Sequence, residues 1–149
     1  PVQVLRETKN LFENRFARHQ ITVSDELGDP LIALKGDSDR LMQLFSNLFE
    51  NALRYADSPG ALRIWQKREK DWIMLFLEDS GPGVPEASVD RLFDRLYRVD
   101  PARTRARGGS GLGLSICKKI VEAHGGRIKA ENITSGGLRF QIALPLFST

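Results

Sequence analysis

The sequence has one cysteine, Cys117, among its 149 residues. That excludes an internal disulfide and is compatible with a reducing compartment. Cys117 lies within an apolar helical pattern and reads as a buried structural thiol, not a nucleophile. No apolar run approaches the ~20 residues that a membrane span needs, and the residues from Pro1 onward are not expected to be a signal peptide. The chain starts on Pro-Val-Gln without an initiator Met, so it is expected to be a piece cut from something longer. Internal repeats and low-complexity tracts are absent. Aromatics make up only 8% of residues and are not interleaved with basic side chains as a stacking platform requires. The net charge is only +3, so nucleic acid is not an expected partner. The one concentration of positive charge is Arg95, Arg98, Arg103, Arg105 and Arg107, in a segment rich in Gly and Pro. It points to a local anion site.

What is present is organised around 37–56. Asp37, Ser38 and Asp39 offer capping oxygens, and Asp57-Ser58-Pro59-Gly60 ends the segment. Leu41, Leu44, Phe45, Leu48 and Ala52 recur at helical spacing, and Met42, Phe49 and Leu53 widen that face. The helix should therefore be largely buried. Gln43, Asn47, Glu50, Asn51 and Arg54 run along it as a polar stripe. Buried amides demand partners, so the stripe either lines a polar cavity or is a solvated face.

The other elements follow in chain order. Val4 to Arg18 reads as an amphipathic helix with Leu5, Leu11, Phe12 and Phe16 apolar. Gln20 to Leu27 and Leu31 to Lys35 read as strands. Ala61 to Arg68 is a strand, and a turn at Glu69-Lys70-Asp71 leads to Trp72–Glu78, apolar enough for burial on both faces. Ala87 to Tyr97 holds one or two short helices, and Val99 to Ser110 is a loop. Leu112 to His124 is a periodic helix stopped by Gly125-Gly126. Arg127–Asn132 and Leu138–Leu144 close the chain as strands. This order predicts a single α+β domain over 1–149: a two-layer sandwich with about three helices on one face of a mixed, mostly antiparallel sheet.

Three features carry chemistry. Asp79-Ser80-Gly81-Pro82-Gly83 follows a buried strand, where a carboxylate has no packing purpose. Either Asp79 accepts a hydrogen bond from a ligand or it caps its own loop. Gly108-Gly109-Ser110-Gly111-Leu112-Gly113 leads into a helix N-terminus, a phosphate-binding arrangement if it is not merely a flexible loop. It is neither a P-loop nor a dinucleotide fingerprint. Arg95 and Arg98, beside Phe93 and Tyr97, suit anionic oxygens or a solvated helix face. Together they describe a nucleotide site, with the amide stripe offering hard oxygen ligands for a divalent ion such as Mg²⁺.

NLFENALRYA, DSGPGV, LFDRLYRVD and GGSGLGLSICKKIVEAHGGRI resemble, in this order and spacing, the N, G1, F and G2 boxes of a known family. That family comprises the ATP-binding catalytic domains of sensor histidine kinases (the Bergerat or GHKL fold shared with gyrase, Hsp90 and MutL). The resemblance spans Val4 to the C-terminal LPL. It implies that Asp79 binds the adenine amine, with Gly81 and Gly83 shaping that pocket. Asn51 would ligate Mg²⁺, Asn47 would face phosphates or the ion's waters, and Arg54 would contact phosphate. Tyr55 would pack near adenine or ribose. Arg95, Tyr97 and Arg98 would lie at the nucleotide and Phe93 within the lid. Gly109, Gly111, Leu112 and Gly113 would close over the triphosphate. Asn47, Glu50 and Arg95 are the residues implied to carry the transfer.

Kinases of this family donate the γ-phosphoryl group of ATP to a histidine on a separate helical dimerisation domain. The resemblance further implies a response regulator downstream and a parent that would be a membrane receptor with this part in the cytoplasm. Here the only histidines are His19 and His124, and neither sits in a phosphoacceptor context. The chain is expected to bind ATP and to lack its own substrate. A hydrolase of the gyrase type would need a general base where the helix has Asn47, and an amide cannot serve at neutral pH. Glu50, the only acid on the stripe, leaves slow hydrolysis open. A non-catalytic nucleotide sensor is the remaining alternative.

Overall fold

A computed structural model describes residues 2–28, 38–55, 59–94, 113–133 and 136–145. Its elements are helix α1 (Val2–Arg18), strand β1 (Ile21–Glu26), α2 (Ser38–Tyr55), β2 (Gly60–Glu69) and β3 (Trp72–Asp79). Short helix α3 (Glu86–Val89), α4 (Gly113–Ala123), β4 (Arg127–Asn132) and β5 (Leu138–Pro145) follow. The sheet order is β1-β2-β3-β5-β4. Among the described strands only the β1–β2 pair is parallel; β2–β3, β3–β5 and β4–β5 are antiparallel. A parallel pair needs a long crossover, and α2 lies in that connection. The expected mixed, mostly antiparallel sheet with a helical layer is thus observed. The strand expected at Leu31–Lys35 lies outside the described residues.

Strand alternation decides which face the helices cover. Ile73, Leu75 and Leu77 of β3 and Leu138, Phe140, Ile142 and Leu144 of β5 are buried in one apolar core with Leu44, Phe45, Leu48 and Phe49 of α2. The intervening β3 residues are only half-buried, which corrects the expectation of a strand buried on both faces. Among the described residues, side chains and not a second layer shelter the outer face. Trp65 stacks on Phe76 at 4.9 Å, and Arg63 and Arg139 lie over the Trp65 ring.

α2 packs between α1 and α4. Phe12 and Phe16 of α1 meet Phe49 at centroid distances of 5.5 and 5.7 Å, each buried ring being worth roughly 1.5–3 kcal/mol of transfer energy. The apolar face of α1 differs from expectation at one position. Leu5, Thr8, Phe12 and Phe16 are buried while Leu11 is 68% exposed. Thr8 follows Leu5 by three residues and precedes Phe12 by four, so it lies on the core face; Leu11 falls one residue off it. Thr8 satisfies its hydroxyl by donating to Val4 O at 2.7 Å.

The Gly125-Gly126 stop behaves as expected. Gly126 N–H donates to Val121 O and Gly125 N–H to Glu122 O, the paired bonds that satisfy the last carbonyls of a helix. Cys117 is fully buried, its Sγ reaching Leu44 O. Burial pushes the thiol up to about 12, which makes it inert as expected.

Candidate functional site

The first half of the site is built where β3 ends. Asp79 pairs with Leu62 across β2. Beyond it Ser80 continues the register, its N–H donating to Ala61 O and its Oγ accepting from Ala61 N–H at 2.7 Å. Asp79 is 6% exposed, and its Oδ1 accepts the Leu138 N–H of β5 at 3.3 Å. The carboxylate is therefore fixed from the neighbouring strand, through a backbone donor that no sequence pattern announces.

The loop after Asp79 is held from the β4–β5 hairpin. Gly83 has φ +71°, and a Cβ there would stand 2.6 Å from Asn132 Oδ1. Gly137 has φ +115°, and a Cβ there would fall on the carbonyl oxygen of Asp79. Both glycines are required by close approach as well as by backbone conformation. Asn132 Oδ1 accepts the Val84 N–H at 3.0 Å, while its Nδ2 donates to Val84 O at 2.6 Å and to Glu86 Oε1 at 3.0 Å. Sequence reasoning placed Asn132 at a strand end and assigned it nothing. The available signal was the residue type, since Asn is depleted in strands. Gly81 is buried in the same loop. Phe93, expected within the lid, packs edge-on against Phe140 of β5 at 6.1 Å.

The second half lies on α2, where the structure divides the polar stripe. Gln43 is exposed. Asn47 turns toward α4, its Nδ2 donating to Gly113 O at 3.4 Å. Gly113 is the first residue of α4, at the helix N-terminus expected from the glycine-rich run. Asn51 is buried, at 7% exposure. Arg54 is half-buried, and its Nε is buried without a hydrogen-bond partner among the described residues. The backbone of Tyr55 ends α2, and its side chain lies outside the described residues. So do Arg95, Tyr97, Arg98, Gly109, Gly111 and Leu112. His124 sits past the end of α4, its Nδ1 2.8 Å from Ile120 O.

Glu50 departs from expectation. Both of its carboxylate oxygens are taken by the Arg15 guanidinium of α1. That hydrogen-bonded pair holds the carboxyl below its ordinary value against the opposing effect of burial. A carboxylate so held is a poor proton acceptor, so the structure argues against Glu50 as a base for water. The reason is rotational: Glu50 and Asn51 are consecutive, about 100° apart on the helix, and face different neighbours. Glu50→Gln should therefore leave nucleotide turnover within about twofold and lower stability by less than ~1 kcal/mol, the scale of a partly exposed pair. Because the folded-state value is depressed, that stability is present above the ordinary carboxylate range and is lost as the pH falls through it. Thermal melts from pH 7 to pH 3 would show the wild type and variant converging.

Comparison with known proteins matches residues 36–148 to the family of histidine kinase-, DNA gyrase B- and HSP90-like ATPases. The chain is 46% identical over 145 residues to the signal transduction histidine-protein kinase BaeS of Escherichia coli (strain K12), covering 97% of this chain and 31% of that protein. It thus spans about a third of the length of that relative. Among solved structures, a nucleotide-free catalytic domain of the histidine kinase ThkA superposes with a TM-score of 0.83 at 28% identity. That match covers 96% of this chain and 92% of the other. ThkA in complex with the response regulator protein TrrA gives a TM-score of 0.81 at 28% identity, over 97% of this chain and 40% of that one. The sheet, the helical layer and the ordered boxes all point the same way: this chain belongs to the histidine kinase-, gyrase- and HSP90-like ATPase family, with the fold of a histidine kinase ATP-binding domain.

Proposed function

We propose that the chain acts as a single catalytic domain that binds Mg-ATP and passes its γ-phosphoryl group to a histidine on a separate dimerisation domain. The observation that carries this reading is Asp79, a buried carboxylate oriented by Leu138 at the mouth of a glycine loop. Such an acceptor suits an exocyclic amine, and adenine presents one. The buried Arg54 Nε–H supports the phosphate end, because a buried donor calls for an acceptor and a phosphate oxygen is a strong one. Asn51 and Asn47 fit a divalent ion, since amide oxygens are hard ligands and Mg²⁺ accepts few protein donors beside phosphates and water. When bound, the ion supplies charge neutralisation at the phosphates.

In this reading the chain's own residues do little covalent chemistry. Asp79 fixes the adenine end, and Arg54, with Arg95 and Arg98, offsets charge on the phosphoryl oxygens. Asn47 and Asn51 set the phosphate chain in line with the incoming imidazole. A bond forms between the acceptor's ring nitrogen and the γ-phosphorus as the bond to the β–γ bridging oxygen breaks, and ADP leaves. A response regulator is the downstream partner. The parent receptor holds this domain in the cytoplasm; among the described residues no helix is long and apolar enough to cross a membrane.

The test follows the label of γ-³²P-ATP with Mg²⁺, using this chain alone and then with the helical dimerisation domain of its receptor. Acid-labile label on the added domain, little free phosphate and no transfer without Mg²⁺ are expected. Rapid phosphate release by the chain alone would overturn the kinase reading in favour of a hydrolase.

A further inference from the structure

We propose that Asn132 is a positioning residue for the nucleotide, holding the 79–84 loop in its binding shape from the far end of β4. The inference rests on the reading of Asp79 as the adenine acceptor and assigns a residue that none of the four boxes contains.

The geometry is specific. A side chain that merely filled space at a strand end would need no particular atoms. Asn132 instead matches both backbone polar groups of Val84, accepting from its N–H and donating to its carbonyl. Its second amide proton goes to Glu86 at the start of α3. One side chain thus pins the loop's exit, while Leu138 N–H pins its entrance at Asp79. Gly136 and Gly137 complete the seat: Gly137 O accepts the Ile133 N–H, and Gly136 N–H donates to Ile133 O. Gly83 is bare where a Cβ would meet Asn132 Oδ1, so the loop reaches Asn132 only because residue 83 has no side chain.

The loop between the two pins has no other regular structure. Residues 80–85 lie outside any helix or strand, and Pro85 at the start of α3 makes no side-chain cap. Ordering such a segment costs backbone entropy. If Asn132 supplies that order before ligand arrives, its loss transfers the cost to binding. The penalty would then fall on the adenine end alone. ATP and ADP should weaken together, because they share that end and differ only at the γ-phosphate.

The experiment measures ATP and ADP affinity calorimetrically, and KM and kcat for transfer to the added dimerisation domain. Both are done well below the unfolding temperature. Asn132→Ala is expected to raise Kd for ATP and ADP by the same factor, about tenfold, and to raise KM while kcat at saturating ATP holds. Asn132→Asp is nearly isosteric and keeps the acceptor for Val84 N–H, but it loses both donors and sets a carboxylate beside Glu86. It should weaken both nucleotides at least as much, and it serves if the alanine variant fails to fold. Asp79→Asn separates the two claims. Unchanged affinity in both Asn132 variants, with binding lost in Asp79→Asn, would overturn the proposal and leave the adenine reading standing. A fall in kcat with KM unmoved would also overturn it, since that is how a reduced folded fraction reads. Wild-type affinity in Asp79→Asn would overturn the adenine reading and the proposal with it.

Discussion

Asp79→Asn is expected to weaken ATP binding by at least about a hundredfold while the protein stays folded. The substitution keeps an amide oxygen to accept the Leu138 N–H, so the internal bond survives. The other position then carries an NH₂ group, which faces the adenine amine donor to donor. Losing a hydrogen bond to a charged acceptor costs about 1.5–3 kcal/mol, and a mismatched buried donor adds about 1–3 kcal/mol. The lower part of that combined range already reaches a hundredfold. Asp79→Ala should abolish binding too, but it also strands a buried N–H and so confounds fold with function. Asn51→Ala should act differently, retaining nucleotide binding and weakening mainly its dependence on Mg²⁺. Calorimetric titration of ATP with and without Mg²⁺ resolves the pair. Wild-type affinity in Asp79→Asn would sink the assignment.

The largest effect on stability is expected from Gly137→Ala, about 3 kcal/mol or more. Two costs combine there. A non-glycine residue at φ +115° is strained by about 1–3 kcal/mol. The added Cβ also lands on backbone, the Asp79 carbonyl, which cannot swing aside as a flexible side chain can. Either the β4–β5 turn or the end of β3 must move, and both carry contacts to the 79–84 loop. Gly28→Ala is the control, since Gly28 also has positive φ, +70°, but nothing lies within 4 Å of its Cβ position. It should lose only ~1–2 kcal/mol. Urea unfolding of the three proteins gives the comparison. Equal losses at the two glycines would show that strain alone matters and that the hairpin yields to the contact.

Elements with strong periodicity were legible from the chain. The α2 face of Leu41, Leu44, Phe45, Leu48 and Ala52, the β5 alternation and the Gly125-Gly126 stop all recur in the structure, because each follows from local spacing. Side chains whose partners come from distant segments were not. The stripe on α2 could be read as polar, but its division could not. Glu50 meets Arg15 from 35 residues earlier in the chain, and Asn47 meets Gly113 from 66 residues later. Leu11 and Thr8 exchanged roles for a similar reason: a one-residue turn of the helix face is invisible to composition, and a buried Thr is tolerated once its hydroxyl is bonded. Asn132 was missed because its partner is a stretch of backbone, and backbone polar groups have no sequence signature. Asp79 and Asn51 stood out in the sequence because their types run against the apolar residues around them, and both are buried.

The outer face of the sheet has a practical consequence for optical work. Trp65 and Trp72 are the only tryptophans in the chain. Trp65 is stacked on Phe76 and covered by Arg63 and Arg139, and Trp72 has Arg127 over its ring. Both indoles alternate away from the buried Ile64, Ile73, Leu75 and Leu77, and so stand across the sheet from the helical layer that carries Asn47, Asn51 and Arg54. Tryptophan emission, excited apart from that of Tyr55 and Tyr97, is therefore expected to gauge sheet integrity and to change little with a nucleotide bound as proposed beside Asn47, Asn51 and Arg54.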